Sequence, residues 1–271
     1  MTFETAKTPT VYIPHGGGPC FFMEWSPADM WDEMGAYLKR LPADIGVRPK
    51  AILVVSAHWE EAQFTVQTKP APGMLFDYYG FPPSTYELSY PAPGSLHLAQ
   101  RVRELAGAGG IAVAEDASRD FDHGVFIPLL MAWPEADIPT LQISLKHGLD
   151  AAEHLALGKA LAPLREEGVL ILGSGMSYHN LRRLMQRDVG GGSRHVSLDF
   201  DGWLQSVVAG DRDGLKAWAS APNARDCHPR EEHLIPLMVV AGAAGDDGVR
   251  MTYHQDSLGP TGAAISAFQF G

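Results

Sequence analysis

Short apolar runs that alternate with helix signals restrict the fold of this sequence more than any other feature. The run Ala51–Ala57, rich in Ile and Val, is typical of a strand buried on both faces of a parallel or mixed sheet. Runs at Thr10–Ile13, Ile138–Leu145 and Val169–Leu172 predict further strands. The alternation indicates an α/β fold, expected to be a single domain over residues 1–271 with a central, mostly parallel or mixed sheet flanked by helices.

Local signals place the helices and the remaining strands. Ser26-Pro27 resembles a helix N-cap followed by proline at the first helical position, which predicts a helix reaching Leu41. Asp150 and Glu153 form a capping box for a helix reaching Arg165. Other helices are predicted at Ser95–Ala106, Ser197–Val208, Asp213–Ser220 and His233–Ala243, and a further helix is predicted to start near Phe126. The other predicted strands are Phe64–Thr68, Ile111–Ala114, Arg250–Gln255 and Ala263–Phe270.

Five histidines lie in short motifs near the ends of these elements: His15, His58, His123, His179 and His233. His15, His58 and His179 each closely follow an apolar strand, and ligands of open α/β sheets bind beyond the carboxyl ends of strands. We place His123 in a loop before a helix and His233 in a first helical turn. Imidazole is the commonest metal ligand and the usual proton carrier near neutral pH, so these residues predict a metal site with spare acid–base groups.

Composition excludes several classes of function. The formal net charge of −11 and the lack of a Lys/Arg run argue against a nucleic-acid partner. No apolar run approaches the length of a membrane span, and the polar start of the chain predicts no signal peptide. With two cysteines, Cys20 and Cys227, a disulfide framework is not expected, which fits a reducing, cytoplasmic setting.

The stretch Lys69–Gly94 is dense in Pro, Gly and Tyr, and it is too aromatic for a disordered linker. We interpret it as an ordered loop that lines a cavity or an oligomer contact, with Tyr79 as a candidate substrate contact. His228, close to His233, is predicted to line the same mouth. His154 and His195 fall on predicted helices and are expected at the surface.

Seven motifs, taken together in their order along the chain, resemble those of the class III extradiol ring-cleavage dioxygenases of the DOPA 4,5-extradiol type. Each motif alone is weak, but their joint occurrence spans nearly the whole chain. They are Pro14-His15-Gly16-Gly17-Gly18-Pro19, Val54-Val55-Ser56-Ala57-His58-Trp59, Tyr79-Gly80-Phe81-Pro82-Pro83, Tyr90-Pro91-Ala92-Pro93-Gly94, Phe121-Asp122-His123-Gly124, His179-Asn180 and Glu232-His233-Leu234-Ile235-Pro236-Leu237.

The resemblance implies a non-haem metal held by His15, His58 and His233, with His179 and His123 as catalytic residues that also contact the substrate. It implies cleavage of a catechol by O2, with Fe(II) expected for activity. Three neutral imidazoles also suit Zn²⁺, which can occupy the site in purified protein but is redox-inert. More distant relatives use two histidines and a carboxylate, so Glu231 and Glu232 stay open as alternative ligands.

Three other functions compete with this interpretation. His15-Gly16-Gly17-Gly18 matches the oxyanion-hole pattern of some esterases, but the residues around Ser174 do not form the Gly-x-Ser-x-Gly elbow that such enzymes need. A zinc-dependent hydrolase and a non-enzymatic binding protein on the same fold are the remaining alternatives.

The glycine run 189–193 lacks the Lys and Ser/Thr of a phosphate-binding loop and is interpreted as a hinge or surface turn.

Overall fold

A computed structural model describes residues 7–185 and 192–271, and within these ranges eight strands form one sheet. The sheet order is β4-β3-β5-β2-β6-β1-β8-β7. The strands are β1 (Thr10–Pro14), β2 (Ala51–Glu61), β3 (Thr65–Gln67), β4 (Ala114–Asp116), β5 (Thr140–Lys146), β6 (Val169–Gly175), β7 (Val249–Leu258) and β8 (Ala263–Phe270).

The centre of the sheet is parallel and its edges are mixed. Strands β5, β2, β6 and β1 run in the same direction, whereas β8 is antiparallel to β1 and β3 is antiparallel to β5. The carboxyl ends of four neighbouring strands therefore meet at one edge of the sheet. Every residue of β1, β6 and β8 is buried, as expected for strands covered on both faces.

Helices flank this sheet and confirm the predicted α/β class. Helix α8 packs against β1, β2 and β6 and against α4, while α3 packs against α1, β2 and β6. None of the described helices is long and apolar enough to cross a membrane. The helices are α1 (Asp32–Ile45), α2 (Leu96–Ala108), α3 (His123–Ala132), α4 (Ala151–Leu161), α5 (Leu181–Leu184), α6 (Gly192–Ala209), α7 (Ala224–Cys227) and α8 (Ile235–Ala244).

Two predicted element boundaries are wrong near the start of α1 and α3. Helix α1 begins at Asp32 rather than after Ser26-Pro27, and Trp25 and Trp31 pack edge to face in the turns that precede it. Helix α3 begins at His123 itself, so this residue lies at a helix start and not in the loop before it. The predicted cap at Asp150 is confirmed, with its side chain accepting a hydrogen bond from the Glu153 amide. Most of the glycine run 189–193 lies outside the described residues.

Helices α4 and α8 approach each other closely because glycine occupies their contact. A Cβ atom on Gly158 would lie 2.1 Å from the carbonyl oxygen of Val239, a backbone atom that cannot rotate away. Gly202, in contrast, lies within α6 with no atom within 4 Å of the corresponding position. Glycine in a helix thus has a packing role in α4 that it lacks at Gly202.

We expect Gly158→Ala to lower the free energy of unfolding by about 2–3 kcal/mol, because the added methyl group forces two backbones apart. The matched variant Gly202→Ala should leave stability unchanged or raise it by up to ~1 kcal/mol, since alanine is the better helix former. Urea denaturation followed by circular dichroism measures both. Equal stability of the two variants would contradict the close packing of α4 on α8.

Candidate active site

The five motif histidines converge at the carboxyl edge of the parallel strands. His15 directly follows β1, and His58 lies in the last part of β2. His123 is the first residue of α3, and His179 follows β6. His233 lies two residues before α8, in the turn that leads into the helix, so its predicted place in the first helical turn is wrong. Strand ends and helix starts from across the chain thus deliver five imidazoles to one place, as their sequence positions predicted.

Three of these imidazoles form a compact triangle. The ring centroids of His15, His58 and His233 lie 4.8–5.1 Å apart in pairs, and one ligand nitrogen from each falls within 4.8 Å of the others. The Nε2 atoms of His15 and His58 are 3.0 Å apart. Two nitrogens bound about 2.1 Å from one metal ion at bond angles of ~90–110° lie roughly 3.0–3.4 Å apart. The triangle therefore fits a single divalent metal ion.

The hydrogen bond at the far edge of the His15 ring fixes its tautomer. The Ser174 hydroxyl donates to the carbonyl oxygen of Gly124, so it accepts the 3.1 Å hydrogen bond from Nδ1 of His15. Nδ1 consequently carries the proton, and Nε2 presents a lone pair. A metal-binding imidazole is usually oriented by such a partner.

Two carboxylates perform this task for the other four imidazoles. Asp77 accepts a 2.7 Å hydrogen bond from Nδ1 of His123, and its second oxygen lies 3.6 Å from Nδ1 of His58. Glu232 accepts a 2.9 Å hydrogen bond from Nδ1 of His233 and lies 3.4 Å from Nδ1 of His179. Each carboxylate thus serves one member of the triangle and one histidine beside it, leaving the Nε2 atoms for ligands.

Burial keeps the triangle neutral. It lowers the pKa of His15, His58 and His233 well below the usual range, and the neighbouring imidazoles lower these pKa values further. Burial acts to raise the pKa of Asp77 and Glu232, but hydrogen bonds from His123 and His179 respectively outweigh it, and both carboxyl pKa values fall. The site therefore combines neutral imidazoles, which bind metals, with ionised carboxylates behind them.

His123 and His179 lie beside the triangle. The His123 ring lies 3.8 Å from that of His58, and the His179 ring stacks on His233 at 3.3 Å with an interplanar angle of 14°. The side chain of His179 keeps 16% of its surface exposed, more than the 4% of His233. His179 is therefore reachable by a substrate, while its partner Glu232 holds the opposite edge of its ring.

Irregularity in β2 and a close glycine contact place His58. The pairing of β2 with β5 shifts register between Val55 and Glu60, and such bulges re-aim side chains. A Cβ on Gly124 would lie 2.6 Å from the hydroxyl of Ser56 and 3.0 Å from the His58 ring, so only glycine lets α3 start this close. Buried Asp122 accepts a 2.6 Å hydrogen bond from Ser56.

The carbonyl group of His233 is fixed from two sides. It accepts a 2.7 Å hydrogen bond from the Tyr12 hydroxyl and a 3.0 Å bond from the Met176 amide. A Cβ on Gly175 would lie 2.1 Å from the same oxygen, so glycine at the end of β6 permits the contact. The backbone that carries the third imidazole is therefore tied to both β1 and β6.

A cavity of about 450 Å³ opens onto the five imidazoles. Tyr79, which is 90% exposed, lies on its rim. Apart from the histidines, its lining consists of Gly16, Gly17, Gly18, Trp25, Trp31, Tyr78, Tyr79, Phe81, Met176, Leu181, Leu184 and Met185. The aromatic loop thus contributes Tyr78, Tyr79 and Phe81 to the wall, as the sequence suggested.

Other histidines take different positions from those expected. His228 is fully buried, and its Nε2–H donates a 2.9 Å hydrogen bond to the Ser177 carbonyl. It is not among the described residues that line the cavity, so the prediction that it lines the mouth is wrong. The expectation that His154 is a surface residue is wrong, because it is fully buried and its Nδ1 lies 2.7 Å from the Asp150 carbonyl. His195 is exposed, as predicted.

The structure gives different positions to the two alternative metal ligands, Glu231 and Glu232, and buries Ser174, the residue considered as an esterase nucleophile. Glu231 pairs with Arg225, whereas Glu232 faces the Nδ1 edge of His233. Ser174 is fully buried inside β6, where it is held between His15 and Gly124. A buried strand residue is not an exposed nucleophile elbow, so the esterase alternative is not supported.

Comparison with known proteins identifies the family of this chain. Residues 10–269 match the family described as the catalytic LigB subunit of aromatic ring-opening dioxygenase. A relative from Hapsidospora irregularis, named dioxygenase tasH, is 37% identical over 93% of this chain and 82% of its own length. The 4,5-DOPA dioxygenase extradiol of Beta vulgaris is 41% identical over 76% of this chain and 78% of its own length.

A solved structure gives the same result for the fold. The crystal structure of an uncharacterized protein from Escherichia coli superposes with a TM-score of 0.78 at 28% identity, covering 97% of this chain and all of that one. The 4,5-DOPA dioxygenase extradiol of Escherichia coli is 31% identical over 90% of this chain and 88% of its own length. The chain therefore belongs to the LigB family of aromatic ring-opening dioxygenases and is an extradiol ring-cleaving dioxygenase.

Proposed function

We propose that the substrate is a catechol, DOPA-like or otherwise substituted, and that both atoms of O2 enter a ring-opened semialdehyde. The observation that carries this proposal is the triangle of neutral imidazoles, flanked by two further imidazoles at the floor of an aromatic cavity. The names of the plant and bacterial relatives agree with a catechol substrate. We further propose that the chain acts as one catalytic domain and is cytoplasmic, in keeping with its two free, buried cysteines.

We propose His15, His58 and His233 as the ligands of Fe(II). A ferrous ion held there would lower the pKa of the catechol hydroxyls and carry electrons from the ring to dioxygen. Zn²⁺ suits the same three imidazoles and is the competing occupant during purification, but it cannot change its oxidation state. Iron-loaded protein should therefore be active and zinc-loaded protein inactive.

We assign proton transfer to His179. Its Nδ1 faces Glu232, so its Nε2 can accept a proton from a catechol hydroxyl, and the carboxylate stabilises the imidazolium that results. The same Nε2–H can then donate the proton to an oxygen of the bound substrate. A histidine that sits beside a carboxylate suits both tasks.

We assign substrate orientation to His123. Its Nδ1–H donates to Asp77, and its ring packs on His58, so its Nε2 is available to accept a hydrogen bond from a bound hydroxyl. Trp31, Tyr78 and Phe81 line the same cavity and would exclude water from the bound ring. Tyr79, on the rim, is proposed to contact the substituent of the substrate.

Oxygen consumption separates this function from its alternatives. Protein loaded anaerobically with Fe(II) should take up O2 when a catechol is added, and isotopically labelled O2 should place both atoms in the product. A zinc-dependent hydrolase or a non-enzymatic binding protein consumes no O2. Uptake with none of a panel of substituted catechols would refute the proposed substrate class.

Asp77→Asn tests the carboxylate that serves two imidazoles. An amide oxygen accepts from one imidazole while its nitrogen donates, so it cannot face Nδ1–H of both His58 and His123. We expect metal affinity or turnover to fall about 10- to 100-fold. Metal titration and O2 uptake measure the two effects. Asp137→Asn, at an exposed carboxylate paired with Arg48, is the control and should change neither.

A further inference from the structure

We propose that this enzyme is built for catechols whose ring substituent is uncharged and apolar and reaches the rim of the cavity. Catechols that carry a carboxylate or an amino-acid side chain are then the poorer substrates. This inference rests on the proposed catechol cleavage and specifies its substrate class. It is carried by the walls and the rim of the cavity, not by the imidazoles at its floor.

The walls above the histidines are apolar or aromatic. They are formed by Trp25, Trp31, Tyr78, Phe81, Met176 and Leu184. The polar atoms of two of these side chains are already engaged: the Tyr78 hydroxyl donates to the Thr85 carbonyl, and Trp25 Nε1 donates to the sulfur of Met30. Among the described lining residues there is no Arg, Lys, Asp or Glu. A charged substituent would therefore lose water without meeting a side chain of opposite charge among these residues.

The rim continues this apolar surface to the outside. Tyr79, Leu181 and Met185 border the mouth, with 90%, 50% and 53% of their surface exposed. Large apolar side chains that are exposed together beside a cavity mark a binding surface. A substituent that extends from a ring bound at the histidines would cover these side chains, and a bare catechol would not.

Helix α5 presents apolar side chains, and not its arginines, to the cavity. Leu181, Leu184 and Met185 follow a spacing of three and four residues, which places them on one face, and all three line the cavity. The two arginines between them face elsewhere: Arg183 lies 2.5 Å from Asp226, and Arg182 is exposed and not among the lining residues. Neither guanidinium group of α5 therefore lines the cavity.

Apolar contact of this kind has a measurable scale. Each methylene moved from water to an apolar wall strengthens binding about fourfold. We therefore expect kcat/KM to rise by about that factor for each methylene along a series of 4-alkylcatechols until the chain passes the rim.

A matched substrate pair tests the proposal. 3-(3,4-Dihydroxyphenyl)propanoate and its methyl ester share one carbon skeleton and differ in charge. We expect the iron-loaded enzyme to favour the ester at least tenfold in kcat/KM over the acid and over DOPA. Quenching of tryptophan fluorescence, to which Trp25 and Trp31 in the cavity contribute, should show the same preference in binding without turnover.

The outcomes separate this inference from the proposed function. Preferred binding of the ester without O2 uptake would support the apolar cavity and refute catechol cleavage. Turnover that favours the acid or DOPA would support catechol cleavage and overturn the inference. Equal binding of acid and ester would also overturn it.

Two variants localise the preference to the rim. Leu181→Arg places a cation at the mouth and should shift the ester-to-acid ratio of kcat/KM at least tenfold towards the acid. Arg182→Ala, next to it on the outward face, should leave that ratio unchanged. A loss of activity on the acid in Arg182→Ala would mean that this arginine recruits the carboxylate, which contradicts the proposal.

Discussion

Replacing His15 by alanine is expected to strip the metal from the protein and to abolish ring cleavage. His15 contributes a neutral Nε2 that lies 3.0 Å from Nε2 of His58, and it is fully buried, so neither water nor a neighbouring side chain replaces it readily. Loss of an outer partner costs roughly 10- to 100-fold in metal affinity, and loss of a ligand should exceed that range. Elemental analysis after anaerobic loading and O2 uptake measure the effect.

The exposed His195 provides the control for this experiment. Its side chain is 81% exposed on α6, and His195→Ala should keep both metal and turnover. Thermal unfolding of metal-free wild type and His15→Ala shows whether the variant is folded. A folded His15→Ala protein that binds metal as tightly as wild type would rule out His15 as a ligand.

Replacing His179 by alanine should abolish most turnover without removing the metal, unlike the replacement of His15. We expect metal content to stay near that of wild type while turnover falls by about 10²- to 10⁴-fold, the range typical of general acid–base catalysis. His179 lies on the open side of His233 and is not one of the three converging imidazoles, so its removal spares the triangle. The pair of variants therefore distinguishes holding a metal from moving a proton.

His179→Gln sharpens this test, because glutamine can donate a hydrogen bond but cannot take up a proton near neutral pH. If His179 only orients the substrate, this variant should recover much of the activity that alanine loses. If His179 transfers the proton, it should not. Loss of metal in both variants would instead make His179 a ligand and refute the assigned role.

The parallel core was predictable because its strands stand out in the sequence as short apolar runs. Ala51–Ala57 and Val169–Leu172 are apolar on both faces, and the structure confirms both runs within β2 and β6. The site histidines were found because they follow such strands or stand in distinctive motifs. His15 and His58 come together because parallel strands end at the same edge, a rule that sequence order alone can apply.

What the sequence did not predict depends on contacts between distant segments. Asp77 lies in an irregular loop, and nothing local indicates that it faces both His58 and His123. Glu232 was considered as a ligand, but its position on the Nδ1 edge of His233 depends on how the chain enters α8. Burial of His154 likewise follows from packing against Phe64, across two separate elements.

The wide spacing of the site residues also limits when the centre can form during synthesis. His15 and His233 lie about 220 residues apart in the sequence. A ribosome that adds about 5–20 residues per second needs roughly 10–45 s to pass from one to the other. Throughout that interval the nascent chain lacks its third imidazole, so the complete triangle can take up metal only after nearly the whole chain has been made.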